Sequence, residues 1–453
     1  MDQEVTISGD LVVVDQFDLA RYGQVKVARN RLYVPTDRID PNDADANATS
    51  FEGGSNVAKV TSAQKVNDDA FVILDDGLSD QNIFPPTLFP ELGKAYPTVR
   101  VGSVLHGVSG KLVKDRNKIV LIPNGPLKWT PAKRPQRPDV GKANVVVASF
   151  NVLNYFTTID DGKNRARGAD SAPEFKRQEA KIVSAILALD AGVIGLMEIE
   201  NNLEAEIQLV AALNKAVGNE VFKGCGLPEG FAEAPGGDNA IRVGIIYRSD
   251  RVEPVGKVSM INDEAFDKAR TPVVQSFKSA KSDKFAVIVN HFKSKGSGSR
   301  ANKANKNKGD GQGAYNAMRR SQSLAICNYI EEQSKDDKES RVLVIGDLNA
   351  YGQEDPIDAM RANGLVDLNE RLGKGSDEGG HYSYVFRGQC GSLDHAMATQ
   401  SLADDVTGIA TWHINADEPH FLDYNEEYNP KSLFEVDPFR SSDHDPVLIG
   451  IGK

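Results

Sequence analysis

The sequence predicts two fold classes in succession: a small all-β barrel or sandwich over residues 1–125, then a layered α/β sandwich over residues 143–453. Three observations carry this reading. Apolar runs in the front part are short and separated by Gly, Asn, Asp and Pro clusters, with few long helical patterns between them. Residues 126–142 interleave Pro126, Pro131, Pro135 and Pro138 with Lys133, Arg134 and Arg137, the composition of a stiff, exposed linker. Beyond it, strand-like runs alternate with helical ones, and the strands are rich in Val, Ile and Leu without clean alternation, as expected where both faces are covered.

The front strands are expected at Leu11–Val14, Gln24–Val27, Ala70–Leu74, Val101–Val108 and Ile119–Ile122. In the second part, strands are expected at Asn144–Phe150, Gly192–Met197, Arg242–Tyr247, Phe285–Val289 and Arg341–Ile345. Helices are expected at Glu174–Leu189, just after Pro173, at Leu203–Val217 with Asn202 as N-cap, and over Ala314–Gln333. No internal repeat is present.

At 453 residues the chain exceeds what one hydrophobic core serves, and 40% apolar with 26% charged residues is an ordinary globular balance. The net charge of −11 disfavours indiscriminate attraction to nucleic acid or anionic membrane, but a bound cation reverses a local field, so a polyanionic substrate stays open. Cys225, Cys327 and Cys390 have no metal-ligand spacing. Cys327 falls in a helical pattern and reads as core, whereas Cys225 and Cys390 lie in Gly-flanked loops and could pair in an exported protein. No signal-peptide or membrane-spanning pattern occurs, so no membrane insertion is expected.

Chemistry-bearing residues recur where apolar runs end or begin. VVVASF runs into Asn151, VIGLM into Glu198, AVIV into Asn290-His291, and VLVIG into Asp347 with Asn349 beyond. Asp394-His395 opens Ala-Met-Ala-Thr, and Asp443-His444-Asp445-Pro446 precedes Val447-Leu448-Ile449. Strand ends sharing one rim would gather these into a pocket. Phosphodiester cleavage needs oxygen ligands for a hard cation, an activated water and donors for developing charge. Glu198, Asp347 and Asp443 offer the carboxylates, Asn151 and Asn349 offer amides, His291 and His444 can move protons, and Asp394 can orient an imidazole.

SFNVLNYF, GLMEIEN, VNHFKS, VIGDLNAYG, SLDHAMAT and SDHDPV, in that order, resemble the motif set of the endonuclease/exonuclease/phosphatase superfamily, the DNase I-like proteins. The resemblance covers roughly residues 143–453. The β-rich front, Pro-rich linker and Lys/Asn/Gly loop after His291 are most similar to bacterial extracellular nucleases, with an N-terminal OB-like domain. It implies a four-layer α/β sandwich, Mg²⁺ dependence with Mn²⁺ or Ca²⁺ as substitute or auxiliary ions, and DNA as substrate. A monomer is expected, extracellular or periplasmic with a leader not part of this chain, or else cytoplasmic. By the same resemblance, Glu198 is the principal metal ligand, with Asn151 and Asp443 beside it. His291 binds or protonates the phosphate, Asp347 and Asn349 position water and transition-state oxygens, and Asp394 orients His444. Either His444 or Asp347 is the general base.

Bland readings hold elsewhere. Glu200 reads as a first-turn dipole partner and His395 as structural. His106, His381, His413 and His420 read as surface or core residues. The stretch Lys293–Lys308 carries six cations, among them Lys293, Lys295 and Arg300, and no acid: either a solvated loop, or a mobile arm clamping DNA, extended by Arg319 and Arg320. Asp40–Asn47 is oxygen-rich but lacks the Gly and terminal Glu of an EF-hand, and reads as a solvated loop. Two other classes remain: a phospholipid or inositol-phosphate phosphodiesterase of the same fold, and a non-catalytic nucleic-acid-binding module. The cationic loop argues against the first, and three phosphate-repelling acids argue against the second.

Overall fold

A computed structural model describes residues 3–42, 55–93, 98–115, 118–296, 298–335, 340–372 and 381–452. Most of the oxygen-rich Asp40–Asn47 stretch lies outside the described residues.

In the larger part, two six-stranded sheets pack face to face with helices on both outer faces. The first sheet places Val145–Tyr155 between Val193–Glu200 (parallel) and Val447–Ile451 (antiparallel). The second places Val342–Asp347 between Ser282–His291 (parallel) and Asp394–Ala398 (antiparallel). Alternate residues of one strand serve different cores. Val145 and Val147 enter the core between the sheets with Val289, Ile345 and Ile449. Ala148, Phe150 and Val152 face the helices Ala172–Leu189 and Leu203–Val217. On the far side, Ile288, Val344 and Met397 pack on Asn316–Ser334 and Asp355–Ala362. Four layers result, which explains strands apolar on both faces. Gly195 lets the sheets approach, since a Cβ there would lie 2.8 Å from Ile345 and Val289 side chains.

The helices follow their local signals. Ser171 and Asn202 cap the first two by accepting from Glu174 N and Ala205 N, and Gly218 ends the second in a left-handed conformation. Strands run longer than their apolar cores. Val145–Tyr155 and Ser282–His291 continue through the polar residues at their ends.

The front residues build an eight-stranded curled sheet in which, among the described residues, Val72–Leu74 and Lys118–Pro123 pair in parallel and the other neighbours run antiparallel. A helix not anticipated from the sequence, Val57–Ala70, interrupts it; only Val60 on it is buried, so it carries no apolar stripe for periodicity to register.

Two expectations about the junction are corrected. The Pro-rich segment is no exposed spacer: Lys128–Thr130 joins the front sheet, and Arg134 forks onto buried Glu418 at 3.0 and 3.1 Å. Pro135 accepts from the Trp412 indole at 3.1 Å. Nor do the parts keep separate cores, since Phe421, Leu422 and Leu433 pack among Leu11, Val13 and Phe89. Arg31 grips Asp417 through two contacts of 2.9 Å, and Leu32–Tyr33 adds a parallel strand to the hairpin Tyr384–Gly391. Cys225, Cys327 and Cys390 are all free thiols, so the Cys225–Cys390 pairing is excluded. Cys390 packs instead with Tyr382 and Ala416.

Candidate active site

The strand register brings the site together. His291, Asp347 and Asp394 are direct neighbours across three adjacent strands of the second sheet. Asn151 and Glu198 sit at the ends of the parallel pair in the first, and His444 lies three residues before its antiparallel partner strand. The two sheets' polar rims face each other.

Glu198 is aimed by strain. It takes a left-handed backbone (φ 63°) inside a strand, where the pairing with Ile241–Arg248 slips between Leu196 and Ile199. Such a bulge costs stability and re-aims one side chain. Its Oε1 accepts from the Asn151 amide at 3.2 Å and lies 3.8 Å from His291 Nε2. Asp347 Oδ2 is reached by His291 Nε2 at 3.2 Å, Asn151 Nδ2 at 3.5 Å and His444 Nε2 at 4.0 Å. Gly346 precedes it at φ 137°, where any Cβ would strike the Asn290 carbonyl. Asn349, also left-handed, donates its backbone N–H to Asp347 Oδ1 at 2.8 Å and its amide to Phe292 O at 3.3 Å.

The opposite wall holds a dyad. Asp394 Oδ2 contacts His444 Nδ1 at 2.7 Å and accepts from the Ser383 hydroxyl at 2.7 Å, all three residues buried. The Tyr384 ring lies 4.6 Å from the imidazole, tilted by 34°. Ser442 donates to the Asn151 carbonyl at 2.6 Å, tying this segment to the first sheet.

Electrostatics divide the two histidines. Burial holds His291 neutral down to about 4, helped by Arg270 and opposed by Asp347. For His444, burial also opposes charge, but Asp394, Asp443 and Asp347 overcome it and raise it well above its ordinary value. Burial raises Glu198 and Asp394, whereas Asp347 is lowered because the hydrogen bond from His291 and the charge of His444 outweigh its burial.

Glu198, His291 and Asp347 offer ligand atoms within 4.8 Å of one another. Half-buried Glu198 and buried Asp347 share the pocket with the neutral Asn151 amide, an oxygen-rich set of the kind that takes a hard divalent cation. Asp443 is half-buried on the rim, close enough to raise Glu198, but it is not one of the converging group.

The outlying cations sort differently from expectation. Lys293 stands beside the site with its ammonium 4.4 Å from the Tyr315 ring, Arg300 is exposed and Arg320 half-buried. Lys295 and Arg319 are corrected: neither faces a substrate. Lys295 is bound to Glu354 at 2.5 and 2.6 Å, and fully buried Arg319 donates to the carbonyls of Lys293, Gln312 and Ala314. The basic stretch is therefore a folded loop pinned from within, with short turns at Gly298–Arg300 and Lys303–Asn305. Glu200 accepts from the Thr157 and Thr158 amides, His395 contacts the Ala350 carbonyl at 2.8 Å, and His413 stacks on Tyr382, all structural.

Sequence reasoning missed Arg270. Buried, it donates to the Phe292 carbonyl at 2.5 Å and lies in the field of Asp347 and Glu198; burial brings it down to about 10, so it stays charged at neutral pH. Its signal was available, an Arg three residues before the strand Val273–Ser279, but a single charge has no spacing pattern.

Four layers with acids, amides and paired histidines on the shared rim define a class: hydrolases of phosphoester bonds. The chain belongs to the endonuclease/exonuclease/phosphatase family, whose model matches residues 148–444. Members of this family typically depend on a divalent metal. Among solved structures it is similar to the human Nocturnin catalytic domain with bound sulfate (14% identity, 68% of this chain and 95% of that one, TM-score 0.43). It is also similar to a Bacteroides thetaiotaomicron mannosyl-6-phosphatase (14%, 68% and 99%, 0.42) and a humanized D. rerio TDP2 (16%, 68% and 99%, 0.40). No curated protein matches the chain.

Proposed function

We propose that the protein is a deoxyribonuclease that hydrolyses DNA phosphodiester bonds with Mg²⁺, acting as a monomer on DNA outside the cell. The observation that carries the reading is the Asp394–His444 dyad at 2.7 Å, whose free Nε2 opens onto the pocket of Asn151, Glu198, His291 and Asp347. The location outside the cell rests on the resemblance in motif and domain order alone.

Glu198 and Asp347 would hold the cation, with Asn151 and rim Asp443 supporting. When bound, it supplies Lewis-acid stabilisation of phosphoryl charge and eases ionisation of water. The chain's own groups do the rest. Asp394 fixes the His444 ring so that Nε2 faces the pocket and gives or takes a proton there. Neutral His291 and charged Arg270 line the side where phosphate oxygens gather negative charge, and Lys293 adds a cation at the mouth.

The test is incubation with supercoiled plasmid, linear duplex, single strand, RNA, sphingomyelin and p-nitrophenyl phosphate, each with Mg²⁺, Mn²⁺, Ca²⁺ or EDTA. Cleavage of DNA that needs a divalent ion and is lost in His444→Ala and Asp347→Ala is expected. DNA cleavage persisting in EDTA, or exclusive turnover of lipid or monoester, refutes the reading.

A further inference from the structure

Beside the catalytic rim, a cleft of about 880 Å³ opens between the front sheet and the larger part, and it reaches Tyr384 and Asp443. Tyr384 also lies against His444, so the cleft borders the catalytic pocket. Its walls come from both parts: Phe17, Phe71 and Lys118 from the front, Phe386, Arg387 and Arg440 from the back.

Two properties set this surface apart. Large apolar faces are left to solvent, Phe17 at 68% exposure and Phe386 at 51%. Contiguous exposed aromatics beside a charged rim mark binding surfaces. The second property is backbone strain at both arginines. Arg387 (φ 53°) and Arg440 (φ 57°) hold left-handed conformations that disfavour a side chain, and Arg387 takes the first position of a two-residue hairpin turn that prefers Asn or Gly.

The charges around the cleft are mixed and interleaved with the rings. Of the lining acids, Asp15 is paired with Lys26 at 2.6 Å, Glu418 is committed to Arg100 and Arg134, and Asp68 accepts from Gln64. Asp18, Asp68 and Asp443 contribute the remaining negative charge, which Lys118, Arg387 and Arg440 balance one for one, and Asp443 belongs to the catalytic acids.

We propose that this cleft holds unpaired nucleotides of a single strand next to the scissile phosphate. Bases stack on Phe17 and Phe386, and backbone phosphates meet Arg387 and Lys118, while Arg440 is held to the carbonyls of Asn415 and Glu418 at the cleft wall. The inference deepens the nuclease reading and rests on it for the direction in which the strand enters. Stacking platforms interleaved with cations are how proteins hold single strands without reading sequence. A duplex keeps its bases stacked inward and offers no face to these rings.

The experiment is fluorescence anisotropy of a labelled single-stranded oligonucleotide and its duplex in EDTA, with full-length wild type, the double variant Phe17→Ala/Phe386→Ala and its conservative counterpart Phe17→Tyr/Phe386→Tyr. The alanine variant is expected to bind single strand about tenfold more weakly or worse, as loss of one base–aromatic stack implies. The tyrosine variant retains binding, and duplex binding changes less than twofold. Unchanged single-strand binding by the alanine variant, or an equal loss for duplex, overturns the assignment. Hydrolysis of the same oligonucleotide with Mg²⁺ is read separately. Single-strand binding with no cleavage under any metal refutes the nuclease reading and leaves the cleft assignment standing.

Discussion

Replacing Asp394 by Asn keeps the shape of the dyad and removes its charge. In the structure the carboxylate stands 2.7 Å from His444 Nδ1, is itself buried, and receives the Ser383 hydroxyl on the same oxygen. A hydrogen bond to a charged partner contributes about 1.5–3 kcal/mol, against about 1 kcal/mol for a neutral pair. Each ~1.4 kcal/mol is tenfold in rate, so loss of charge assistance alone lowers kcat about 10-fold. An amide presenting its NH₂ to the ring forces the other tautomer, and then the loss extends toward ~10⁴-fold, as for the corresponding change in serine-protease triads. The assay is steady-state cleavage of a fluorogenic oligonucleotide with Mg²⁺, separating kcat from KM. The change acts on a group that orients a proton carrier, so kcat falls and KM stays within about twofold. Asp394→Asn turning over at the wild-type rate while His444→Ala is inactive would refute the orienting role.

Glu198→Gln should weaken Mn²⁺ binding at least tenfold by calorimetry and abolish turnover at submillimolar metal; unaltered calorimetry would remove Glu198 from the ligand set. Lys295→Ala leaves Glu354 buried without its partner, and breaking such a pair costs about 3–5 kcal/mol, read as a lower urea midpoint with KM unchanged. A raised KM at full stability would restore Lys295 to the substrate. Burial raises Asp37 from the usual 3.8 to about 6, against hydrogen bonds from Ser392 and Gly352. A raised folded-state value means its stabilising contribution is complete below 3.8 and lost as pH rises through about 6. Asp37→Asn should therefore gain on wild type in urea midpoint between those values and hold constant above them; a pH-independent difference contradicts this.

Six strand-end motifs were legible because strands covered on both faces print as unbroken Val/Ile/Leu runs, and a polar residue that ends such a run stands out. Asn202 and Gly218 bounded their helix by local chemistry alone. What stayed hidden depends on tertiary contact. The aim of Glu198 comes from a left-handed bulge that sequence does not mark. Charge runs read as solvated, yet Arg319 and Lys295 turn inward because a loop with only a few small apolar residues is held together by buried cations on carbonyls and on Glu354. The Pro-rich segment reads as a spacer, but Arg134 and Pro135 make it a strap, since its partners Glu418 and Trp412 are nearly 300 residues away.

The parallel pairing of Leu32–Tyr33 with the hairpin that carries Tyr384 has a consequence for how the protein comes into being. During synthesis the front sheet has all its own strands long before residue 389 is made, but Leu32–Tyr33 must wait with an open edge for a partner encoded near the other end of the chain. The histidine platform is therefore among the last parts to close. Catalytic competence waits for His444 to be made, so no fragment that stops before it carries the complete site.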